Sequence, residues 1–431
     1  MKTTDKYKHD WQEQLAKCIR CGTCRSVCPV FAVTGNENST ARGKVRLIEA
    51  VTEGDLELTH EMQQRMSQCL MCKACVTGCP SSVKTDWLFL DARKALAEEN
   101  SVPFMKKLAF TSLTYRWLFE KALGAGTLLQ RLVLKDSPDG RGMVSRIPLP
   151  AAGLNARRII PPLATKPLRS NPLVLKPRGP RRARVAFFTG CMLNYVYPDA
   201  GKAIVDILVH NGIEVTLPID QYCCGTPAFT SGDFTVGRYL AERNIEALSK
   251  QPLDAIITGC PSCGLALKHE YGHIIDDPRL KEKWTEIATK VHDITQFLVK
   301  IGHREDFHEV KLKLTYHDPC HLVRGMGVSQ EPRQMLKAIP GIDFVEMAHA
   351  DECCGAGGTF SLSYYDISRQ INDKKLDAAQ DTNAQVLVTG CSVCRMHIDD
   401  GLSRRQGTIK VRHTAEILAA AYRIPGKEVI S

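Results

Sequence analysis

Eight of the eighteen cysteines fall into two identical strings, Cys18, Cys21, Cys24, Cys28-Pro29 and Cys69, Cys72, Cys75, Cys79-Pro80. Each reads C-x2-C-x2-C-x3-C-P, the bacterial run that holds a pair of iron–sulfur cubes. Three closely spaced thiolates suit three corners of one cube, and the fourth, followed by proline, turns away to serve its neighbour. The expected ligand sets are therefore Cys18, Cys21 and Cys24 with Cys79, and Cys69, Cys72 and Cys75 with Cys28. Zinc knuckles use pairs of cysteines, not two matching runs of four with a trailing proline. The chemistry on offer is electron transfer.

The other ten cysteines form a second repeated pattern. Cys191 is followed by Cys223-Cys224-Gly225 and Cys260-Pro261-Ser262-Cys263, and Cys320 by Cys353-Cys354-Gly355 and Cys391-Ser392-Val393-Cys394. The offsets between the copies are 129, 130 and 131 residues, the mark of a tandem duplication. Each copy offers five thiols, one more than an ordinary cubane needs. Gly225, Gly355, Gly357 and Gly358 follow the paired cysteines, where they let the backbone pass close to a cluster and aim amides at its sulfurs. His317 and His321 beside Cys320, and His349 before Cys353, read as hydrogen-bonding groups near a cluster; replacing a thiolate or relaying protons is the sharper alternative. Arg42 and Lys44, between the first two runs, offset a cube's charge or simply face solvent.

A chain of 431 residues has room for two to three cored domains. Its polar start, MKTTDKYKHDWQEQ, lacks the apolar stretch of a secretory signal, and no run approaches a membrane span. A reducing, cytoplasmic setting is expected, extending to the inner face of the membrane; clustered thiols there are metal ligands. The net charge of +10 is local. Residues 141–184 carry eleven Lys or Arg and no Asp or Glu, which leaves the rest of the chain at −1. Eight prolines in the same stretch forbid regular helix, so it reads as an extended, solvated basic connector. Docking to an acidic partner or an anionic lipid surface is the alternative, through Arg181, Arg182 and Arg184 among others. Nucleic-acid binding has no support, because the basic residues alternate with prolines and not with aromatics.

These groups must be positioned by recognisable elements. Residues 1–100 read as a 4Fe-4S dicluster ferredoxin domain of the helical kind, because Val45, Ile48 and Val51 recur at helical spacing and His60–Met66 and Trp87–Ala92 continue the pattern. Residues 101–184 read as a helical segment plus the basic, proline-rich linker. In it Phe104, Leu108, Leu113, Trp117, Leu118, Leu128, Leu129 and Leu132 recur at three or four residues, which predicts buried bundle packing, with a partner-facing or membrane-interface helix as the alternative. Residues 185–310 and 311–431 read as two cysteine-rich domains. Strand-like runs end directly at cysteines (Val185–Phe188, Ala255–Ile257, Leu312–Tyr316, Val386–Val388), and helical stretches such as Ala200–Asn211 and Ile367–Ala379 lie between. The expected fold class is α+β/α multi-domain: a helical ferredoxin unit followed by two open, parallel-sheet units with thiols at the strand ends.

Two ferredoxin runs followed by two C…CCG…C-x2-C repeats resemble the iron–sulfur subunit of glycolate oxidase and related D-lactate dehydrogenases. The repeats are shared with the catalytic subunit of heterodisulfide reductases. The resemblance runs from Cys18 to about Ile417. It implies two [4Fe-4S] clusters on the eight ferredoxin cysteines and, because all five thiols survive in both repeats, up to two further non-cubane [4Fe-4S] clusters on Cys191, Cys223, Cys224, Cys260, Cys263 and on Cys320, Cys353, Cys354, Cys391, Cys394. It also implies an oxidoreductase complex in which a separate FAD-binding dehydrogenase subunit acts on the hydroxyacid. This chain shows no Gly-rich dinucleotide fingerprint and no catalytic residue of its own. Electrons would leave toward quinone or another carrier. Reduction of a disulfide at the repeat clusters is the competing expectation, and repeats that hold zinc or are merely structural form a third.

Overall fold

The computed structural model describes residues 7–146, 158–170 and 174–424. The ferredoxin region is helical throughout, with no strand among its described residues. Its helices include Lys8–Ala16, Ala41–Glu53, His60–Ser67 and Thr85–Asn100. Thr40 caps the second by accepting from the Gly43 amide, and Gly54 stops it in the left-handed region at φ 91°. Val45, Ile48 and Val51 point inward as their spacing predicts. Trp11, Leu88 and Phe89 join them in a core that continues into the first repeat through Phe188, Phe229 and Tyr271. The ferredoxin unit is thus packed onto the repeats, not tethered to them.

A short hairpin, β1 (Leu134–Asp136) and β2 (Met143–Ser145), precedes two open sheets. The first sheet comprises β3 (Val174–Leu175), β4 (Ala183–Phe188), β5 (Ile213–Thr216), β6 (Ala255–Thr258) and β7 (Val291–Asp293) in the order β3-β5-β4-β6-β7. All pairs are parallel except the edge pair β3–β5. The second comprises β8 (Leu312–His317), β9 (Ile342–Phe344), β10 (Val386–Thr389) and β11 (Lys410–His413) in the all-parallel order β11-β10-β8-β9. Leaving β3 aside, both sheets run second-first-third-fourth. Strands β4 and β8 start 129 residues apart, at Ala183 and Leu312. The duplication read from the cysteines is therefore a duplication of the whole sheet.

Central β6 and β10 are buried along their full length, as expected for parallel strands covered on both faces. The two repeats share a core in which Phe187 and Ile257 meet Tyr316, Val388 and Ile417. Cys260 and Cys391 follow β6 and β10 by two residues and Cys263 and Cys394 sit in the first turn of the helices that come next, whereas the Cys223-Cys224 and Cys353-Cys354 pairs lie in the loops after β5 and β9.

Two expectations fail here. Helices Phe104–Ser112 and Arg116–Val133 do not form a buried bundle: Trp117 is 67% exposed and Leu128 80%, and the longer helix has no buried residue. The helical period is present, but nothing among the described residues covers the face that carries Trp117, Leu118, Leu128 and Leu132. Nor is the basic segment a solvated connector where it is described; residues 147–157 and 171–173, Arg157 among them, lie outside the described residues. Arg141 binds Asp399 at 3.0 Å and the Gly407 and Ile409 carbonyls at 2.7 Å each. Arg158 reaches the Ser361 carbonyl, and the Ile159 amide reaches Asp400. Arg169 donates to the Gln221 carbonyl at 2.6 Å. Arg182 donates to Gly302 and Arg184 pairs with Glu214. The segment is a strap laid across both repeats, its guanidinium groups satisfying loop carbonyls that no sheet reaches.

Candidate metal centres

The ferredoxin cysteines line two separate small cavities. Cys18, Cys21, Cys24 and Cys79 face one, together with Arg42 and Val45. Cys28, Cys69, Cys72 and Cys75 face the other. Cys75 borders both. The structure therefore brings together each group of four named from the sequence, with the proline-flanked cysteine crossing to the other run.

The backbone wraps the two cavities alike. Residues two and four places after the first cysteine of each run are left-handed: Arg20 (φ 56°) and Gly22 (φ 84°) in one, Met71 (φ 54°) and Lys73 (φ 62°) in the other. Such turns aim consecutive amides inward, and the Met71 N–H lies 3.4 Å from the Cys69 sulfur. A lysine in this conformation is strained. Lys73 is held by a buried ion pair with Asp86 and lies 5.3 Å from the centre of the Trp87 ring.

The second cavity has cationic neighbours. Lys44 is fully buried, its ammonium donating to the Ser39 carbonyl at 2.9 Å. Burial pulls its pKa down, and the nearby Cys69 and Cys28 thiols oppose that. Arg93 is buried too; it donates to the Met66 and Cys69 carbonyls and, across the domain boundary, to Thr230. Of the two basic residues weighed from sequence, Lys44 offsets charge, while Arg42 lines the outer cavity and pairs with Glu37. Burial pushes the Cys75 thiol up to about 12, with the charge of Cys69 adding to the rise. Thiolates packed this densely repel one another unless a metal takes their charge. The soft donors, inward amides and buried cations fit iron–sulfur clusters.

All ten repeat cysteines line one chamber of about 600 Å³, with Cys69, Leu70 and Met71 of the ferredoxin unit on its wall. Gly355 stands at φ 90°, where a side chain would strike the Ser368 carbonyl, and its amide lies 3.4 Å from the Cys353 sulfur. Gly357 has a different role from the one expected: a Cβ there would meet Leu70 at 2.5 Å, so it lets the second repeat close on the ferredoxin unit. The thiol groups form a line. Cys24 acts electrostatically on Cys75 between the two ferredoxin cavities. Cys72 and Cys353 share an apolar cluster, with Cys28 and Cys320 packed against it. Cys260 and Cys391, from opposite repeats, line the same chamber. The order is outer ferredoxin site, inner ferredoxin site, second repeat, first repeat.

The histidines divide. His321 bridges three units, one ring nitrogen 3.0 Å from Ser262 of the first repeat and the other 3.1 Å from the Met71 carbonyl. His349 is exposed and pairs with Glu352, away from the chamber. His317 is fully buried at the end of β8. The sequence reading missed Glu270, buried on the π-helical turn Ala266–Glu270, where burial raises its carboxyl to about 8. It also missed the Lys73–Asp86 pair and Arg93. No spacing rule marks these residues, because their partners lie in distant segments.

Comparisons with known proteins follow this geometry. A 4Fe-4S dicluster domain model matches residues 14–83, and a cysteine-rich domain model matches residues 185–268 and 314–399. A probable glycolate oxidase iron-sulfur subunit of Bacillus subtilis is 33% identical over 424 residues, spanning 95% of this chain and 94% of that protein. The chain belongs to the glycolate oxidase iron–sulfur subunit family. Lactate utilization protein A of Exiguobacterium is 35% identical over 236 residues, 54% of this chain and 96% of the relative. One subunit of a fumarate reductase (CoM/CoB) from Methanothermobacter marburgensis is 38% identical over 241 residues, 56% of this chain and 47% of that protein. A solved structure, a hypothetical protein from Helicobacter pylori, superposes with a TM-score of 0.51 over 99% of this chain and 76% of the other, at 10% identity. That last likeness concerns the fold alone. The chain is an iron–sulfur protein of an oxidoreductase family, and among its described residues no helix is long and apolar enough to cross a membrane.

Proposed function

We propose that this chain is the electron-transfer subunit of a flavin-dependent 2-hydroxyacid dehydrogenase, acting with glycolate or D-lactate as the hydroxyacid. A separate FAD-binding subunit oxidises the hydroxyacid, and this chain carries the electrons singly toward quinone or another carrier. Clusters bound at the four thiol sites supply the one-electron steps. Ferredoxin ligation follows the two groups of four, and each repeat holds its centre with thiols from its own set of five. The observation that carries the reading is the unbroken line of thiol sites from the ferredoxin unit into the chamber. Cys21 and Ile19 are exposed at the outer end, where a partner's flavin can approach. The names of the relatives, a glycolate oxidase subunit and a lactate utilization protein, support the substrate class. We place the complex in the cytoplasm, with contact to the inner face of the membrane where quinone is the acceptor.

One observation favours a second reading. Both repeat sites open into a single chamber, whose wall carries Cys260 of the first repeat and Cys391 of the second. A disulfide bound there could be cleaved between two reduced centres. The test is reoxidation of the anaerobically reduced protein. Rapid reoxidation by a quinone analogue, with none by low-molecular-weight disulfides, supports the relay. The reverse result overturns it. Co-purification of the native complex tests for the flavoprotein and identifies the hydroxyacid.

A further inference from the structure

The two repeats are built alike, yet their sites differ at one decisive position. Three residues before the first cysteine of each copy, at the last residue of β4 and of β8, stand Phe188 and His317. Phe188 packs in the apolar cluster that contains Cys224, Cys260 and Cys263. His317 occupies the matching place in the second copy, fully buried. One of its ring nitrogens and the sulfurs of Cys354 and Cys394 all lie within 4.8 Å of one another. Neither ring nitrogen has a hydrogen-bond partner among the described residues. A buried imidazole with both nitrogens idle is costly and calls for an explanation. A second histidine sets the copies apart: His397, buried and hydrogen-bonded to Ser368 at 3.0 Å, stands where the first copy has Ala266.

We propose that the second repeat holds its metal centre partly through His317, by direct nitrogen ligation beside Cys354 and Cys394, whereas the first repeat relies on thiolates alone. The inference rests on the reading that the repeats bind iron. A neutral imidazole is a good donor to iron. Replacing thiolate by imidazole raises the potential of an iron–sulfur centre, as it does in Rieske sites. The two repeat centres would therefore differ in potential, with the one beside the ferredoxin unit the more oxidising.

The test uses full-length protein reconstituted anaerobically with iron and sulfide. Pulsed electron paramagnetic resonance, run on oxidised and dithionite-reduced samples, is expected to show nitrogen coupling on a repeat centre, with the pattern changing when histidine is labelled with 15N. Labelling needs no substitution, so it stands even where a variant misfolds. His317→Phe installs the residue that the first repeat already carries and is expected to abolish the coupling. His317→Cys is expected to retain the centre without the coupling. About sixteen irons per chain with no histidine coupling would overturn the inference and leave the reading of the repeats intact. Iron fixed near eight per chain would overturn both.

Discussion

A hydroxyl cannot replace a soft thiolate at iron, so each ferredoxin cysteine is a sharp test of its own site. Cys21→Ser and Cys72→Ser are each expected to lose one cube, about four irons, and the two losses should add, because the variants touch different cavities. Iron analysis with low-temperature resonance checks this. Asp86 offers a different test. Its removal would strand the Lys73 cation in a site where both partners are almost fully buried. Asp86→Ala should therefore cost about 3–5 kcal/mol, seen as a lower temperature for bleaching of the cluster absorbance. The cysteines were legible from sequence because ligand type and spacing carry their chemistry together. Lys73, Asp86, Arg93 and Glu270 were not, since each acquires its role from packing that no motif spacing marks.

At the scale of elements, the strands that end at cysteines were readable, whereas β5, β7, β9 and β11 were not. β6 and β10 are no longer than β5 and β11 but are wholly apolar or β-branched, whereas the four missed strands carry polar or charged residues such as Glu214, Asp293, Asp343 and Arg412, so their pairing, not their pattern, defines them. The exposed helix shows the opposite error, a clear period with no partner among the described residues. Leu128→Ser and Leu132→Ser are accordingly expected to shift unfolding by less than about 0.5 kcal/mol, where bundle packing would cost several times more. The strap reverses the charge reading. Arg169 is buried against the Ile219 and Gln221 carbonyls, so Arg169→Ala should destabilise the first repeat by about 1–3 kcal/mol, and added salt should not reproduce the loss. Thermal unfolding of the three variants side by side separates surface from scaffold. Composition alone could not, because prolines with arginines look the same whether solvated or bound.

For the whole molecule, the cysteine offsets disclosed the duplication, but not that both copies would open into one chamber or that the second copy would meet the ferredoxin unit. That placement follows from packing: Leu70 against Gly357 and Met71 against His321 hold the second copy on the ferredoxin unit, and Arg93 against Thr230 holds the first. The second repeat's thiols adjoin the inner ferredoxin site, and His321 ties that repeat to the first. The most direct measurement is freeze-quenched paramagnetic resonance of the complex with its flavoprotein, hydroxyacid and a quinone analogue, comparing wild type with Cys354→Ser. The account predicts that the ferredoxin signals appear and then drain in the wild type, but appear and persist in the variant. Ferredoxin signals that drain to quinone equally fast in both proteins would contradict it.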